Sequence, residues 1–347
     1  MKHLFIGLDV HKKTWSVTLQ EDGIIRKRFA MQAHASTLIH FVQQHYPGYS
    51  VECCYESCCC GYHIYRDLTK AGWKVLVVNP GDIPRINKQS SSKTDKIDSK
   101  YLCNQLASGH LKGIYVPDEK QEQFRSLFRR RSDLVKNLRR IKCHIKAMLL
   151  YYGVVLPEAY DNINWSKAMI AWIENLSWLY KPAALTMQSR IREYKYLHEE
   201  YLHICCELRS YARTSYKKDY YLLRSIPGVG PFIAIGILAE VGDLRRFRGI
   251  DRLSSYIGLV PSLHSSGEKT FSKGITMRSK HLLRSYLIEG AWMAARKDPE
   301  LMQYYGERKG SDHKKLVIKI ASKTLSRMYS VIKRGEPFKL KEAPPMR

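Results

Sequence analysis

The amino-acid sequence predicts a mixed α/β domain at the N-terminus, a long helical region in the middle and a mostly helical domain at the C-terminus. Up to about residue 115, apolar runs with strand periodicity alternate with helical patterns. From roughly residue 119 to 217 the strand signals vanish, and apolar residues recur at helical spacing. A chain of 347 residues can hold two or three domains. We place them at residues 1–115, 116–217 and 218–340, followed by a tail at 341–347.

The N-terminal domain is predicted to be a layered α/β unit that opens with a β-meander. Glu21-Asp22-Gly23 is a turn signal between two extended segments of this meander. The predicted strands lie at 3–10, 14–19, 24–30, 50–55 and 73–78. The predicted helices between them lie at 36–44 and 62–71.

Four acidic residues mark a candidate metal site in this domain. Asp9 and Glu56 end the first and fourth strands, and open sheets place their sites at strand ends. Asp95 and Asp98, in KTDKIDSKYL, share one face of a predicted helix. This is the ribonuclease-H-like arrangement, in which four acids bind two Mg²⁺ ions for phosphoryl transfer. Each acid alone is also compatible with a solvent-facing strand end or with capping of a helix N-terminus.

The middle region predicts two long helices, paired as a helical hairpin or coiled coil. They cover about residues 121–150 and 176–216, and their imperfect heptads leave the pairing partner open. The first helix is strongly basic, which indicates either a solvated face or a surface that contacts phosphates. Its candidate nucleic-acid contacts are Arg129, Arg130, Arg139 and Arg140.

Composition favours a polyanionic partner and gives no membrane signal. The 58 Lys and Arg residues outnumber the 32 Asp and Glu residues, for a formal net charge of +26, which usually indicates nucleic acid. No apolar run reaches the roughly 18–20 residues that span a bilayer, and the N-terminus lacks a signal-peptide pattern. The nine cysteines follow neither a disulfide framework nor a zinc spacing. We therefore expect a cytoplasmic protein with reduced thiols, in which the role of Cys58-Cys59-Cys60 is left open.

The C-terminal domain contains two candidate segments. SIPGVG at 225–230 with the apolar helix after it has the form of a helix-hairpin-helix, in which Gly228 and Gly230 let backbone N–H groups reach phosphates. A structural turn is the alternative. LSSYIGLVPSLHSSG at 253–267 predicts a short helix and a Ser-Ser-Gly turn, where serine usually serves turn chemistry. Basic candidates for nucleic-acid contact follow at Lys269, Lys273 and Arg278.

Together these motifs resemble one known family over nearly the whole chain. The blocks that carry the resemblance are GLDVHKKTW, YESCCCGYHIYRDL, VNPGDIPR, KTDKIDSKYL, SIPGVG, YIGLVPSLHSSGEK and GITMRSKHLLR. They are similar to the DEDD transposases of insertion sequences related to Piv-type DNA invertases, the bridge-RNA-guided serine recombinases. The resemblance implies a RuvC-like N-terminal domain with an acidic quartet of Asp9, Glu56, Asp95 and Asp98. In the C-terminal domain it implies that Ser266 is the nucleophile.

The resemblance also implies a reaction and its partners. Ser266 would attack a DNA phosphodiester and form a covalent phosphoserine intermediate, with Mg²⁺ held by the acids and no nucleotide cofactor. The expected partners are donor and target DNA, a noncoding guide RNA, and further copies of the chain in a dimer or tetramer with composite sites, acting at the nucleoid. Assistance to Ser266 by His264 or Ser265 is a separate hypothesis. His264 would accept the serine proton if it lies within hydrogen-bond reach, whereas a solvated loop histidine is the favoured interpretation.

Three functional hypotheses follow, and two departures from the family bear on them. The protein is an RNA-guided recombinase, a hydrolytic nuclease of junction-resolvase type, or a non-catalytic nucleic-acid-binding protein in which the acids are caps. Ser57-Cys58-Cys59-Cys60 stands where related sequences have small residues and glycine, so the loop that aims Glu56 is expected to differ. Near Gly274, Met277-Arg278-Ser279 replaces a second glycine. Neither departure removes a predicted catalytic group.

Overall fold

The computed structural model describes residues 2–83, 95–161, 165–266, 269–276, 279–308 and 312–340. Within these ranges, the side chains of residues 95–97, 262–266 and 269–273 lie outside the described set. The chain divides into two units, Met1–Val116 and Pro117–Arg347. The predicted middle and C-terminal regions thus fall within one unit.

A five-stranded sheet forms the centre of the N-terminal unit. Its strands are β1 (His3–Val10), β2 (Thr14–Glu21), β3 (Ile24–Gln32), β4 (Ser50–Glu56) and β5 (Lys74–Val78). Their spatial order is β3-β2-β1-β4-β5. The first three strands form an antiparallel meander, and β4 and β5 extend the sheet parallel to β1. The predicted α/β class and meander are therefore confirmed, and the sheet is consistent with a RuvC-like fold.

Helices cover both faces of this sheet, which suits the almost continuous apolar run of its middle strand β1. The helices are α1 (Ala35–His45), α2 (His63–Lys70) and α3 (Asp95–Ala107). On one face, Leu38 of α1 and Leu68 of α2 pack in one core with Ile6 of β1. On the other face, Leu102 of α3 packs against Cys54 of β4.

Two long helices, α4 (Glu119–Tyr151) and α6 (Lys181–Ser215), pair in opposite directions in the C-terminal unit. Lys120 Nζ lies 3.4 Å from the Ser215 carbonyl oxygen, and Arg190 donates to the His144 carbonyl oxygen at 2.7 Å. Buried α4 residues recur in alternating steps of four and three, the spacing of a coiled coil. They are Leu134, Leu138, Ile141, Ile145 and Met148. Helix α5 (Lys167–Glu174) packs against the same core, and we call residues 134–197 the helical arm.

The remaining elements of this unit surround the first half of α4. They are α7 (Lys217–Arg224), α8 (Pro231–Gly236), a π-helical turn (Ile237–Val241), α9 (Ile250–Ile257), β6 (Pro261–Ser266), β7 (Lys269–Ile275), α10 (His281–Lys297), α11 (Pro299–Gly306) and α12 (His313–Arg334). Phe124 and Phe128 of α4 share one core with Leu238 and Leu283. The described part of the chain contains no helix long and apolar enough to cross a membrane.

Candidate active site

Asp9 and Glu56 lie side by side at the carboxyl ends of two neighbouring parallel strands. Asp9 is next to last in β1, and Glu56 is the last residue of β4. Leu8 stands opposite Tyr55 in the parallel register. The residues that follow this pair therefore occupy adjacent positions, on strands about 4.8 Å apart. The structure thus brings the two strand-end acids together at the edge where open sheets place their sites.

A histidine orients the Asp9 carboxylate. His11 Nε2 lies 3.2 Å from Asp9 Oδ2, and it donates this hydrogen bond when the ring is protonated at Nε2. The side chain of Asp9 is 20% exposed and that of His11 is 52% exposed, so the pair is open to solvent on the histidine side. This contact limits rotation of the carboxylate. Sequence reasoning missed it, because two residues in one short extended segment give no signal of a contact.

The approach of α3 to the sheet depends on a glycine. A Cβ atom at Gly7 would overlap the Ser99 carbonyl oxygen, so no larger residue fits beneath the helix. The Ser99 hydroxyl meets the Thr18 hydroxyl of β2 at 3.0 Å, and both side chains are buried. Helix α3 therefore sits directly on β1 and β2.

Helix α3 crosses the sheet over Gly7. Ser99 contacts Thr18 of β2, and the Leu102 carbonyl oxygen accepts a hydrogen bond from Cys54 Sγ of β4 at 3.4 Å. Between them, Cys103 also lies at Gly7, and its Sγ donates to the Phe5 carbonyl oxygen at 3.3 Å. The half-buried Asp98 stands in the first turn of the helix, one residue before Ser99.

The acids present fit a hard divalent cation, although the described side chains do not complete a site. Asp95 is the first residue of α3. Its side chain lies outside the described residues, so the alternative that it caps the helix is not tested. Among the described side chains, no three His, Cys, Asp or Glu residues stand close enough to hold a metal ion. Mg²⁺ commonly takes only one or two protein carboxylates and completes its shell with water and phosphate oxygens. Asp9 and Glu56 suit that mode of binding, and the quartet stays a prediction.

Three cysteines near the acids are held in the thiol form. Burial raises the pKa of Cys54 well above its usual range, and Cys103 and the Glu56 carboxylate add to the effect. Burial likewise raises the pKa of Cys103 to about 12. Burial, followed by hydrogen bonds with the neighbouring thiols, raises the pKa of Cys60 to about 11. Cys54 and Cys103, which are also buried, are therefore poor thiolate nucleophiles at neutral pH.

Ser266, the predicted nucleophile, is the last residue of β6 and stands opposite Lys269 at the tip of a β-hairpin. The sequence predicted only a turn here, because proline, glycine and serine dominate the segment and mask its strand period. The side chains of His264, Ser265 and Ser266 and the connection 267–268 lie outside the described residues. The proposed catalytic roles of these residues therefore stay predictions.

An arginine of α10 fastens the base of this hairpin. The Arg284 guanidinium donates to the Thr276 carbonyl oxygen at 2.8 Å and to the Gly258 carbonyl oxygen at 3.4 Å. Gly258 ends α9 with φ 87°, a left-handed conformation that glycine adopts without strain. The Thr276 N–H also donates to the Val260 carbonyl oxygen at 3.1 Å. Both ends of the hairpin are thus held to the helical core.

The SIPGVG turn packs inside the unit at Gly228. This residue has φ +83°, and a Cβ there would overlap the Gly290 carbonyl oxygen and Ala294 of α10. Glycine at 228 is therefore required by the close approach of two backbones. A Cβ at Gly230 would meet open space. The predicted phosphate contact of this turn stays a prediction.

The predicted basic contacts on α4, Arg129, Arg130, Arg139 and Arg140, are all exposed. Arg129, whose side chain is 54% exposed, also forms a bidentate ion pair with Glu240, Nε to Oε1 at 2.6 Å and NH2 to Oε2 at 2.9 Å. Glu240 is 3% exposed, and sequence reasoning missed it. The one available signal was a single acid in the apolar run ILAEV. Outside the described set are the side chains of Lys269, Lys273 and Arg278.

Two family models match the chain in these regions. Residues 6–153 match the DEDD domain described as a transposase of the IS110 type. Residues 220–306 match the model described as "Transposase IS116/IS110/IS902 family". The first match contains Asp9, Glu56, Asp95 and Asp98, and the second contains Ser266.

Several curated proteins are similar to most of the chain. A putative transposase, y4qE, of Sinorhizobium fredii is 28% identical over 295 residues, which cover 84% of this chain and 72% of the relative. The transposase for insertion sequence element IS1111A of Coxiella burnetii is 28% identical over 244 residues, or 68% of this chain and 64% of the relative. The pilin gene-inverting protein of Moraxella lacunata is 24% identical over 373 aligned positions that span 97% of this chain and 98% of the relative.

Proposed function

We propose that the chain is a transposase of the IS116/IS110/IS902 family, whose models it matches at residues 6–153 and 220–306, and that it cuts and rejoins DNA to move its own insertion sequence. The observation that carries the proposal is the pairing of Asp9 and Glu56 at the ends of β1 and β4, inside the segment that matches the DEDD domain. A net charge of +26 suits a DNA partner. Similarity to a gene-inverting protein fits the rejoining half of the reaction.

The DEDD domain implies dependence on a divalent metal, and Mg²⁺, with two ions per site, is the proposed cofactor. Asp9 and Glu56 would hold it, with Asp95 and Asp98 contributing from α3. When bound, such ions stabilise the charge that develops on a transferring phosphate. The protein's part is to concentrate negative charge at the strand ends and, through His11, to keep the Asp9 carboxylate in one orientation.

Ser266 is the proposed nucleophile. Its Oγ–P bond would form as the P–O bond to a deoxyribose oxygen breaks, and the leaving oxygen would take up a proton. Attack by a deoxyribose hydroxyl on the phosphoserine would then rejoin the strand and release the serine. The position of Ser266 at a hairpin tip with a fastened base supports this role, because the tip can reach a DNA backbone while the core stays fixed.

Metal-dependent hydrolysis is a second candidate function, and the DEDD match favours it. Acids that hold a divalent metal need only water as the nucleophile, so they do not require a serine. Under this hypothesis the β6–β7 hairpin binds DNA but forms no covalent bond to it.

Replacing the serine separates the two functions. With Ser266→Ala, we expect complete loss of protein–DNA adducts that survive denaturation by detergent, whereas the neighbouring change Ser265→Ala should keep them. Adducts that persist in Ser266→Ala would overturn the nucleophile assignment. Free DNA ends without any adduct in the unaltered protein would favour hydrolysis.

Replacing an acid tests the metal site. Asp9→Asn should slow strand cleavage on the order of 100-fold or more, because several kcal/mol of charge stabilisation is lost. Asp67→Asn, at an exposed acid of the same unit, is the matched control and should have no effect. Chelation of divalent ions should reproduce the Asp9→Asn defect. Full activity of Asp9→Asn and Asp98→Asn would instead support the non-catalytic hypothesis.

We further propose that a noncoding RNA guides the protein to its DNA and that the active form is a dimer or tetramer. The family resemblance and the exposed arginines of α4 support an RNA partner. RNA with segments complementary to donor and target should co-purify with the protein, and ribonuclease should abolish cleavage. Cleavage that survives ribonuclease would overturn the guide role. Light scattering of the RNA-bound protein measures its subunit number, and a monomeric mass would overturn the assembly.

A further inference from the structure

Three consecutive cysteines follow Glu56, and the proposed chemistry uses none of them. The Cys60 N–H donates to Cys58 Sγ at 3.4 Å, and the Gly61 N–H donates to the Cys58 carbonyl oxygen at 3.4 Å. This turn holds the Cys60 backbone against the Cys58 sulfur. Cys58 is exposed and Cys60 is half-buried, so a small molecule can reach the pair.

We propose that Cys58 and Cys60 form a modifiable dithiol, which a low-molecular-weight disulfide converts into an intramolecular disulfide. The Cys58 thiolate attacks one sulfur of the disulfide and releases one thiol, which leaves a mixed disulfide on Cys58. The Cys60 sulfur then attacks Cys58 Sγ and releases the second thiol. Two protein thiols are oxidised, one external disulfide is reduced to two thiols, and no other oxidant is needed.

Geometry selects this pair among the nine cysteines. Cys53, Cys54, Cys103 and Cys205 are buried and out of reach of a small disulfide. Adjacent residues have Cα atoms about 3.8 Å apart, less than the roughly 4.4 Å minimum of ordinary disulfides, whereas residues two apart in a turn fall within the bonding range. Cys59 is therefore a poor partner for either neighbour. Cys143 and Cys206 are exposed on α4 and α6 and serve as controls.

Oxidation would change the surroundings of the acids. Cys58 Sγ–H donates to the Val10 carbonyl oxygen, with the sulfur 3.8 Å from the oxygen. This contact ties the loop after Glu56 to the strand that bears Asp9. A disulfide removes the S–H donor and pulls Cys58 toward Cys60, so the loop loses its tie. This step rests on the proposed metal site. If that site is correct, the oxidised protein binds divalent metal more weakly than the reduced protein.

Mass spectrometry of the full-length protein tests the dithiol. After treatment with oxidised glutathione and alkylation of the remaining thiols, the peptide with Cys58–Cys60 should carry one internal disulfide and one alkylated cysteine. Reductant should restore three alkylated cysteines. Cys59→Ser should keep the disulfide, whereas Cys60→Ser should replace it with a glutathione adduct on Cys58. Equal glutathione adducts on Cys58, Cys143 and Cys206, with no internal disulfide, would overturn the proposal.

Binding of Mn²⁺, measured by calorimetry, tests the consequence for the acids. We expect oxidation to weaken binding on the order of tenfold, the scale at which outer contacts affect metal sites, and reductant to reverse it. The double variant Cys58→Ser/Cys60→Ser should be insensitive to the oxidant. Equal Mn²⁺ affinity in oxidised and reduced protein would overturn the coupling to the acids. Absence of Mn²⁺ binding in the reduced protein would instead overturn the proposed metal site, and the mass data alone would then decide the dithiol.

Discussion

The first half of α4 carries four arginines and the second half two, and the two halves use them differently. In the first half, up to Arg131, the helix lies in the core of the C-terminal unit, and three of its arginines contact neighbouring elements. In the second half, from Leu134 onward, the helix belongs to the arm, and its arginines face solvent. The surroundings of a basic helix thus decide whether its charge stabilises the fold or is available to a partner.

In the first half, the Glu240 carboxylate pairs with two arginines, Arg125 and Arg129. Arg129 donates to the two Glu240 carboxylate oxygens through Nε and NH2, and Arg125 Nε lies 3.6 Å from Glu240 Oε2. Arg125 also donates to the Ala239 and Glu240 carbonyl oxygens at 3.2 and 3.3 Å. These carbonyls belong to the π-helical turn, and they also accept from the Gln121 amide and the Tyr256 hydroxyl, each at 3.4 Å. The arginines therefore satisfy buried backbone as well as a buried acid.

Arg131 is buried without a carboxylate in contact among the described residues. Its guanidinium carbon lies 3.9 Å from the ring centroid of Phe232. Its nitrogens donate to the Tyr286 and Tyr201 hydroxyls, the latter at 3.2 Å. Aromatic faces and phenol oxygens thus hold a cation that is only 8% exposed. Charge at this position serves packing between helices.

The largest effect should come from removing the shared acid. Glu240→Ala removes the carboxylate that pairs with Arg125. The Arg125 side chain is only 10% exposed, so its charge stays buried without a counter-ion. The loss of one partner from a buried pair costs about 3–5 kcal/mol. Urea denaturation should show a lower midpoint. Glu174→Ala is the matched control, because the exposed Lys195–Glu174 pair at 2.6 Å contributes less than about 1 kcal/mol. Equal shifts in the two variants would contradict the contrast.

A smaller effect is expected at Arg131, where the packing matters more than the charge. Arg131→Ala removes the aliphatic stem and leaves a cavity, at a cost of about 2–4 kcal/mol. Arg131→Met keeps most of the volume and should cost less than about 1.5 kcal/mol. Denaturant midpoints of both variants measure the difference. A methionine variant as unstable as the alanine variant would mean that the cation itself holds the helices together.

The parts predicted from sequence are those in which a local pattern dictates the structure. The first strand is an apolar run closed by Asp9, and the fourth is closed by Glu56, so both strands and their terminal acids could be placed without knowledge of contacts. The two long helices followed from helical spacing, and tertiary packing only supplied their partner. Local signals were sufficient wherever one element determined its own boundaries.

The parts that were missed depend on residues far apart in the chain. The direction of the Arg129 side chain is set by Glu240, 111 positions away, and no periodicity in α4 encodes it. The close backbone of α10 requires glycine at position 228, and the SIPGVG motif alone gives no sign of that contact. In the part of the chain that the structure describes, strands β6 and β7 pair only with each other, and such a two-stranded ribbon depends on its attachment to the core for stability. Long-range packing therefore had to be seen in the structure.

The smallest effect on stability, and the sharpest on binding, is expected in the second half of α4. Arg139→Ala/Arg140→Ala changes exposed residues only, so stability should stay within about 0.5 kcal/mol. If both arginines contact phosphates of duplex DNA, the slope of log affinity against log salt should fall by about 1.8. Fluorescence anisotropy at several salt concentrations measures this slope.

A control with the same change in charge separates surface contact from net charge. Lys136→Ala/Lys146→Ala removes two cations of the same helix that are paired with acids, Lys136 with Asp133 at 3.1 Å and Lys146 with Asp161 at 3.2 Å. These lysines are partly neutralised, so the control should change the slope less than the arginine variant. Equal changes of the salt slope in both variants would mean that DNA affinity depends only on the total charge of the arm. A change confined to the arginine variant would place the phosphate backbone along Arg139 and Arg140, the face that the coiled-coil seam leaves to solvent.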